Sequence, residues 1–593
     1  MRKNLIILAN LVGISFGCFC DCSLDKQTSN TNFEDKKECV EAKEKEKIIF
    51  EGFDEFDCNG ESIDIKDYVK SNLESNVDLT IKFEDNYTEK EERPSLNASK
   101  EEVDSAIKRK RQEVKNYFSV QNRKNIKKLN IKKAKNVFIS NYSPYVDLTI
   151  SKSDFVENDF SILDELASSC DINTVYVKDK NTFTYESNME SALPTVGLPK
   201  PVNIPSLPFS GSGVNIGILE AKGVFDKDNP NLAGTSAVAR DVWYFSESIS
   251  EHATRVASIV GGNSGIARGA QIYCDELSGN PKNEVEWMLE NGCNIITNSW
   301  SEYSKDLTGK YKSDSAYFDY ISRINWCTIC ASAANDGTDS GFVGNPGLGF
   351  NVITVGASKD GISLADFSSY KESFNICKPT LVAPGYDIDV PNLINSYVDP
   401  SDGKTYLLNC GTSFSTPIVA ASIALLMEQY PSLKTYPEIV ISLLTASAKK
   451  MSSSYSSFSN SGLEDKVGAG KFDYQNAQSA LYNFITFNND SDETKRYVTS
   501  YDIYCKKGET LRASLAWLVD SNDKTDTNIV TDYDLHIFNS KGSRVAYSQS
   551  SFNNIELKEY VIPESGNYTL KVYQWGAKKG KRKDYGCVSY YIY

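Results

Sequence analysis

The chain has 593 residues, 40% apolar and 24% charged, which is ordinary for a soluble globular protein and enough for two to four domains. Its net charge of −15 argues against nucleic acid as a partner and says little about substrate. Fourteen cysteines leave some disulfide pairing open, because connectivity cannot be read from spacing.

The N-terminus reads MRKN, then LIILANLVGISFG, then CFCDC. A basic start followed by about a dozen mostly apolar residues predicts a signal peptide over residues 1–22, too short for a typical membrane span. The expected location is therefore secreted, or at the extracytoplasmic cell surface. Gly17-Cys18 weakly resembles a bacterial lipoprotein cleavage box. Ser15 stands where that box prefers leucine, so contact with a membrane would require lipid attachment at Cys18. Residues 23–75 are polar, acidic and aperiodic and predict a loosely ordered leader.

Residues 76–186 alternate in character. DLTIKF predicts a strand, and KEEVDSAIKRKRQEVKNYFSVQN a helix with Val103, Ile107, Val114 and Phe118 on one side. VFISNYSPYVDLTISK follows as strand, DFSILDELASSC as helix and INTVYVKDKNTFTYE as strand, giving an α+β module. The basic run Lys108 to Lys135 reads as a solvated helix face rather than an anion site. Residues 187–209, with LPTVGLPKPVNIPSLPF, predict a Pro-rich linker and a maturation site.

Over residues 210–485 short apolar runs alternate with helical ones. VNIGILE, AQIYC, CNIITNS, CTICASAA and NVITVGAS predict buried parallel strands, with VEWMLENG and DSAYFDYISRIN as helices between them. That pattern predicts a three-layer α/β domain with helices on both faces of the sheet. Cys327 and Cys330 have CxxC spacing but lie in the apolar run WCTICASAA and read as buried strand residues. Residues 495–593 predict an all-β sandwich, from LRASLAWLV, TDYDLHIFN, SRVAYSQ, ELKEYVIP, GNYTLKVYQW and CVSYYIY. Cys505 and Cys587 bracket it and are the preferred disulfide pair. Asp532 and Asp534 are calcium-ligand types, although turn or strand-edge carboxylates are the commoner case.

The string GTSFSTP, Gly411 to Pro417, runs directly into the apolar helical stretch IVAASIALLMEQY. It sets Ser413 on a tight turn at a helix start, where a hydroxyl is presented and the first amides face whatever it attacks. A serine needs a base, and the chain has only two histidines. One is His252, in EHATRVASIVGG; the other, His536, sits in an alternating strand. CASAANDG ends an apolar strand at Asn335, an uncharged donor suited to a developing oxyanion.

These strings resemble the subtilase (subtilisin-like) serine peptidases, whose motifs read GTS-x-[AS]-x-P, H-G-T-x-V-A and A-A-G-N-[ED]-G. Val382 to Gly385, Phe367 to Ser369 and Ile353 to Ala357 also match supporting strands, so the resemblance spans roughly residues 205–485. It implies a serine endopeptidase with Ser413 as nucleophile, His252 as base and Asn335 as oxyanion donor. It likens the α+β module to an inhibitory prodomain and the tail to a jelly-roll domain. Protein or peptide substrates and the chain's own prodomain are the implied partners. No cofactor is implied for catalysis; structural calcium is common in the family, but no clear site stands out here.

The orienting acid departs from the family, which reads V-x-[IV]-[IL]-D-[ST]-G at the end of the first strand. Here Val214 to Leu219 leads into Glu220-Ala221-Lys222-Gly223. Glu220 is the expected orienter, in the order acid, histidine, serine, with Asp226 and Asp228 as alternatives in a polar turn. Ser299-Trp300-Ser301 stands where the family has Ser-Leu-Gly, and Ala334 where it has Gly. Both glycine replacements imply a narrower specificity pocket. The competing reading is a catalytically silent pseudoprotease or surface-binding protein on the same scaffold. An esterase of the α/β-hydrolase type is excluded, since G-x-S-x-G and a suitably placed later histidine are missing.

Overall fold

A computed structural model describes residues 48–51, 76–129, 131, 134–156, 160–178, 193–199, 206–240, 249–277, 281–301, 309–337, 341–359, 361–370, 376–388, 390, 396–398, 405–407, 410–451, 455–458, 460–520 and 530–593. Its centre is an eight-stranded sheet. Across it run Val352–Lys359, Thr328–Ser332, Ile295–Asn298, Asn215–Glu220, Gln271–Glu276 and Ala237–Ala239, all parallel. Leu381–Pro384 adds in parallel to Val352–Lys359, and Ser363–Leu364 closes that edge antiparallel.

The central strands, such as Thr328–Ser332 and Val352–Lys359, are largely apolar because helices bury both faces. Helices Glu251–Gly261 and Thr412–Gln429 place Val256, Val260, Ile418 and Ile423 in one apolar cluster. Helices Pro281–Glu290 and Ser313–Ile324 place Val285, Met288, Phe318 and Ile321 in a second. The expected three-layer α/β domain is thus present. Asn215–Glu220 is flanked by the next strands in the chain on one side and by later ones on the other. Strand order reverses there, and the crevice beyond the carboxyl ends of such a pair is where open α/β sheets bind ligands. Glu220 is the last residue of that strand.

The N-terminal module has a five-stranded sheet, ordered Ile48–Glu51, Ile172–Lys178, Asn76–Phe83, Tyr145–Ser151 and Lys135–Ile139. The leader therefore contributes a strand: Ile48–Glu51 pairs in parallel with Ile172–Lys178. The run VFISNYSPYVDLTISK folds as two strands, because the polar segment 140–144 turns the chain back. Asn122 Nδ2 holds that turn by donating to the carbonyls of Ser140 (2.7 Å) and Ser143 (2.8 Å). The long helix extends from Lys100 to Lys128 and starts with a Ser99–Glu102 capping box, which satisfies two amide donors at once. The end of INTVYVKDKNTFTYE falls outside the described residues.

The Pro-rich stretch is not a free linker where it is described. Leu193–Val196 forms a 3-10 turn, and Leu193, Val196 and Leu198 are buried in the first apolar cluster of the catalytic fold.

The C-terminal region is two four-stranded antiparallel sheets. One orders Phe484–Asn489, Asp584–Ile592, Thr510–Trp517 and Ile555–Val561; the other Arg496–Cys505, Gly566–Gln574, Tyr533–Phe538 and Arg544–Ser548. Phe484–Asn489 and Arg496–Cys505 escape the sequence pattern because they are half-exposed and mix apolar with polar residues without a clean alternation. Cys505 and Cys587 lie in different sheets and are free thiols, which overturns the preferred disulfide. Burial pushes their thiols up to about 11 and about 12. Among the described residues no helix is long and apolar enough to cross a membrane.

Candidate active site

Glu220 and His252 meet at the switch point of the sheet. Glu220 Oε2 lies 2.7 Å from His252 Nδ1, and the two side chains are 0% and 8% exposed. His252 occupies the first turn of helix Glu251–Gly261, whose N-cap Ser250 accepts from the Ala253 amide at 3.2 Å. The loop after Glu220 is fastened to the same turn. Ser250 N donates to Val224 O at 2.8 Å, and Asp226 N donates to Thr254 Oγ1 at 2.8 Å. Asp226 Oδ1 accepts from the Asp228 amide at 2.9 Å, an Asx-type turn bond. Of the three candidate acids, Glu220 is the one bonded to His252.

Ser413 is buried in the first turn of helix Thr412–Gln429, 2% exposed. Its neighbour Phe414 packs on the imidazole, with ring centroids of His252 and Phe414 5.0 Å apart. Pro417 sits four residues after Ser413, so the helical amide that would bond the Ser413 carbonyl does not exist. Ser299 Oγ supplies the missing donor, at 2.7 Å from Ser413 O. The helix start also needs close backbone approach. Gly411 N donates to Gly385 O at 2.7 Å, and a Cβ on Gly385 would come within 2.3 Å of Ser415 Oγ and 2.7 Å of Gly411 O.

Asn335 follows the strand Thr328–Ser332 and reaches the residue before Ser413. Its Oδ1 accepts from Thr412 N at 2.9 Å and Thr412 Oγ1 at 3.0 Å. With the oxygen so engaged, the amide NH2 is the end left to face a substrate. Ala334 has φ +86°, a left-handed conformation that a glycine would adopt without strain. Of the three residues 299–301, Ser299 buttresses the serine turn. Trp300 is buried in the second apolar cluster with its ring 6.5 Å from Phe318. Its carbonyl accepts from Ser332 Oγ at 3.0 Å. Ser301 is partly exposed.

The subtilase family model matches residues 161–470, just over half of the chain, a span that includes Glu220, His252, Asn335 and Ser413. The chain belongs to the subtilase family. It is 37% identical to the serine protease AprX of Bacillus subtilis (strain 168) over 118 residues, 18% of this chain and 27% of that protein. It is 26% identical to subtilisin amylosacchariticus of Bacillus subtilis subsp. amylosacchariticus over 243 residues, 38% of this chain and 58% of that one. The match thus spans less than two thirds of either relative. Among solved structures, the prenylagaramide maturation protease PagA aligns at 25% identity over 48% of this chain and 99% of its own, with a TM-score of 0.36. The homologues of this subtilase are serine peptidases.

Three contacts of this subtilase site carry no flag in the sequence: Phe414 against His252, Thr412 holding Asn335, and Ser299 on the Ser413 carbonyl. Only Pro417 could have signalled the last, since a proline at that distance frees a carbonyl. Cys327, just before strand Thr328–Ser332, and Cys330 within it are fully buried, and burial pushes the Cys327 thiol up to about 12, as suits an inert thiol. Among the described residues no cluster of three or more His, Cys, Asp or Glu is placed to hold a metal ion. Asp532 is pushed up to about 6, by burial and then by the neighbouring charge of Asp534.

Proposed function

We propose that this subtilase is a secreted endopeptidase, made as a precursor, that hydrolyses peptide bonds through an acyl-enzyme on Ser413. The observation that carries the reading is the 2.7 Å contact between Glu220 Oε2 and His252 Nδ1. A carboxylate on Nδ1–H fixes the tautomer in which Nε2 takes the serine proton, and it stabilises the imidazolium that forms. His252 then returns that proton to the leaving amine. The Asn335 amide and the first amides of the Ser413 helix stabilise the tetrahedral oxyanion. Glu220 does the work that aspartate does elsewhere in the family, and the longer stem is accommodated by the rebuilt loop up to Gly223. Residues 76–186 take the place of the family's prodomain. Substrates are proteins or peptides, with side-chain selection narrowed by Ser301 and Ala334.

The test is a fluorophosphonate probe on the purified protein, read by mass spectrometry. Labelling confined to Ser413 and lost in His252→Ala supports an activated serine. A folded protein that stays unlabelled favours the silent scaffold.

A further inference from the structure

Three bodies of the fold meet at one buried ionic cluster far from Ser413 in sequence. The N-terminal module brings Asp85, Tyr87 and Glu89; the catalytic domain brings Arg323; the sandwich brings Asp520 and Arg582. Arg582 donates to Asp85 Oδ2 at 2.6 Å, to the Tyr87 carbonyl at 3.1 Å and to Asp520 Oδ1 at 2.9 Å. Its side chain is 10% exposed, and those of Asp85 and Asp520 are 1%. Arg323, on helix Ser313–Ile324, lies 3.7 Å from Glu89 and 3.9 Å from Asp520, and donates to the Lys583 carbonyl at 2.9 Å. Burial is the largest single influence and acts to raise Glu89 and Asp520, but the combined charges of Arg323 and Arg582, with Lys110 beside Glu89, hold each below its usual range.

A second anchor repeats the arrangement. Arg93 of the module pairs with Glu438 of the catalytic domain, and its guanidinium stacks 4.1 Å from the Tyr585 ring of the sandwich and 4.9 Å from Tyr436. On the catalytic side, Arg111 of the long helix donates to the carbonyls of Leu289 (3.2 Å), Cys293 (2.6 Å) and Asn325 (3.3 Å). Leu289 and Asn325 lie at the C-terminal ends of helices Pro281–Glu290 and Ser313–Ile324, where carbonyls have no partner within the helix, and Cys293 follows the first of them. Parting the module would strip Arg582 of Asp85 and Glu438 of Arg93, and would remove Arg111 from all three carbonyls, at once.

We propose that the C-terminal sandwich clamps the N-terminal module onto the catalytic domain through Arg582, so that residues 76–178 stay bound after a cut in the segment that follows them. The module rests on helices of the second apolar cluster and, through Arg93 and Pro94, on the segment around Tyr436 and Glu438 that packs in the first. The inference goes beyond the peptidase reading and does not depend on it.

The experiment uses the full chain as Ser413→Ala, with a site-specific protease sequence inserted between Lys178 and Leu193. After cutting, size-exclusion chromatography at physiological salt should show both fragments co-eluting. Arg582→Ala should raise the dissociation constant of the N-terminal fragment by at least about tenfold, because it leaves the buried Asp85 carboxylate without its cationic partner. Asp85→Asn keeps the volume and alters only the module's side; it should weaken retention in the same direction, and it decides the matter if Arg582→Ala does not fold. Separate elution of the parent's fragments overturns the clamp, as does retention unchanged in the folded variants. Because Ser413 is absent throughout, a failed clamp and a failed peptidase assignment are read independently.

Discussion

Asn335 is held in place by Thr412, which gives its side-chain oxygen both a backbone N–H, at 2.9 Å, and a hydroxyl, at 3.0 Å. The residue next to the nucleophile therefore decides which end of the Asn335 amide is available. Asn335→Ala is expected to lower kcat by about 10²–10³-fold with little change in KM, the loss typical of one oxyanion donor. Thr412→Val, which removes only one of the two bonds, should cost much less. Steady-state kinetics on a peptide substrate checks both; a loss under tenfold for Asn335→Ala counts against the donor role.

Glu220→Gln keeps the volume at the His252 contact and removes the charge. The expected loss in kcat is on the order of 10⁴-fold, as when a triad carboxylate is neutralised. Glu220→Asp shortens the stem by one methylene across a 2.7 Å contact and should recover only part of the rate. Asp226→Asn should be nearly silent, since that carboxylate bonds the Asp228 amide instead. If Asp226→Asn abolishes turnover while Glu220→Gln stays within about threefold of the parent, the orienting acid lies in the loop.

What could be read without coordinates was whatever leaves a local mark. Buried parallel strands such as Thr328–Ser332 are continuous apolar runs, and the turn before Ser413 is spelled out by Gly411 and Thr412. Partnerships across the chain leave none. Thr412 and Asn335 are 77 residues apart, and Ser299 and Ser413 are 114. The neighbours of Trp300 were hidden too, since Phe318, whose ring lies 6.5 Å from the indole, is not part of the motif that Trp300 belongs to. The clamp at Arg582 was hidden for the same reason, since an arginine in the run KKGKRK looks like any solvated charge until Asp85 is folded against it.

Ala334 stores strain that glycine would release. At φ +86° its Cβ crowds the backbone, and an alanine there is less stable than glycine even after glycine's larger unfolded-state entropy is counted. Ala334→Gly should raise the thermal midpoint by a few degrees and widen selection at the residue before the cleaved bond. Calorimetry and a peptide-library profile measure the two effects. A lower midpoint would show that the neighbouring backbone has adapted to the side chain.

Glu286 should make the fold pH-dependent. It lies between the module and the catalytic domain, accepting from Ser140 Oγ at 2.5 Å, Asn141 N at 2.9 Å and Asn141 Nδ2 at 3.2 Å. Burial pushes it up to about 7 from 4.5, against the opposing pull of those donors. A carboxyl raised on folding binds its proton more tightly in the native state. Its contribution is therefore full below about pH 4.5 and is lost as pH rises through about 7. The full loss is on the order of 3 kcal/mol at 1.36 kcal/mol per unit. Glu286→Gln cannot ionise, so the parent should lose stability relative to this variant across that window. Denaturant unfolding of both proteins as Ser413→Ala, between pH 4.5 and 8, isolates the effect because every other group cancels in the difference. A difference that stays flat over the window would mean that Glu286 reaches water in the native state.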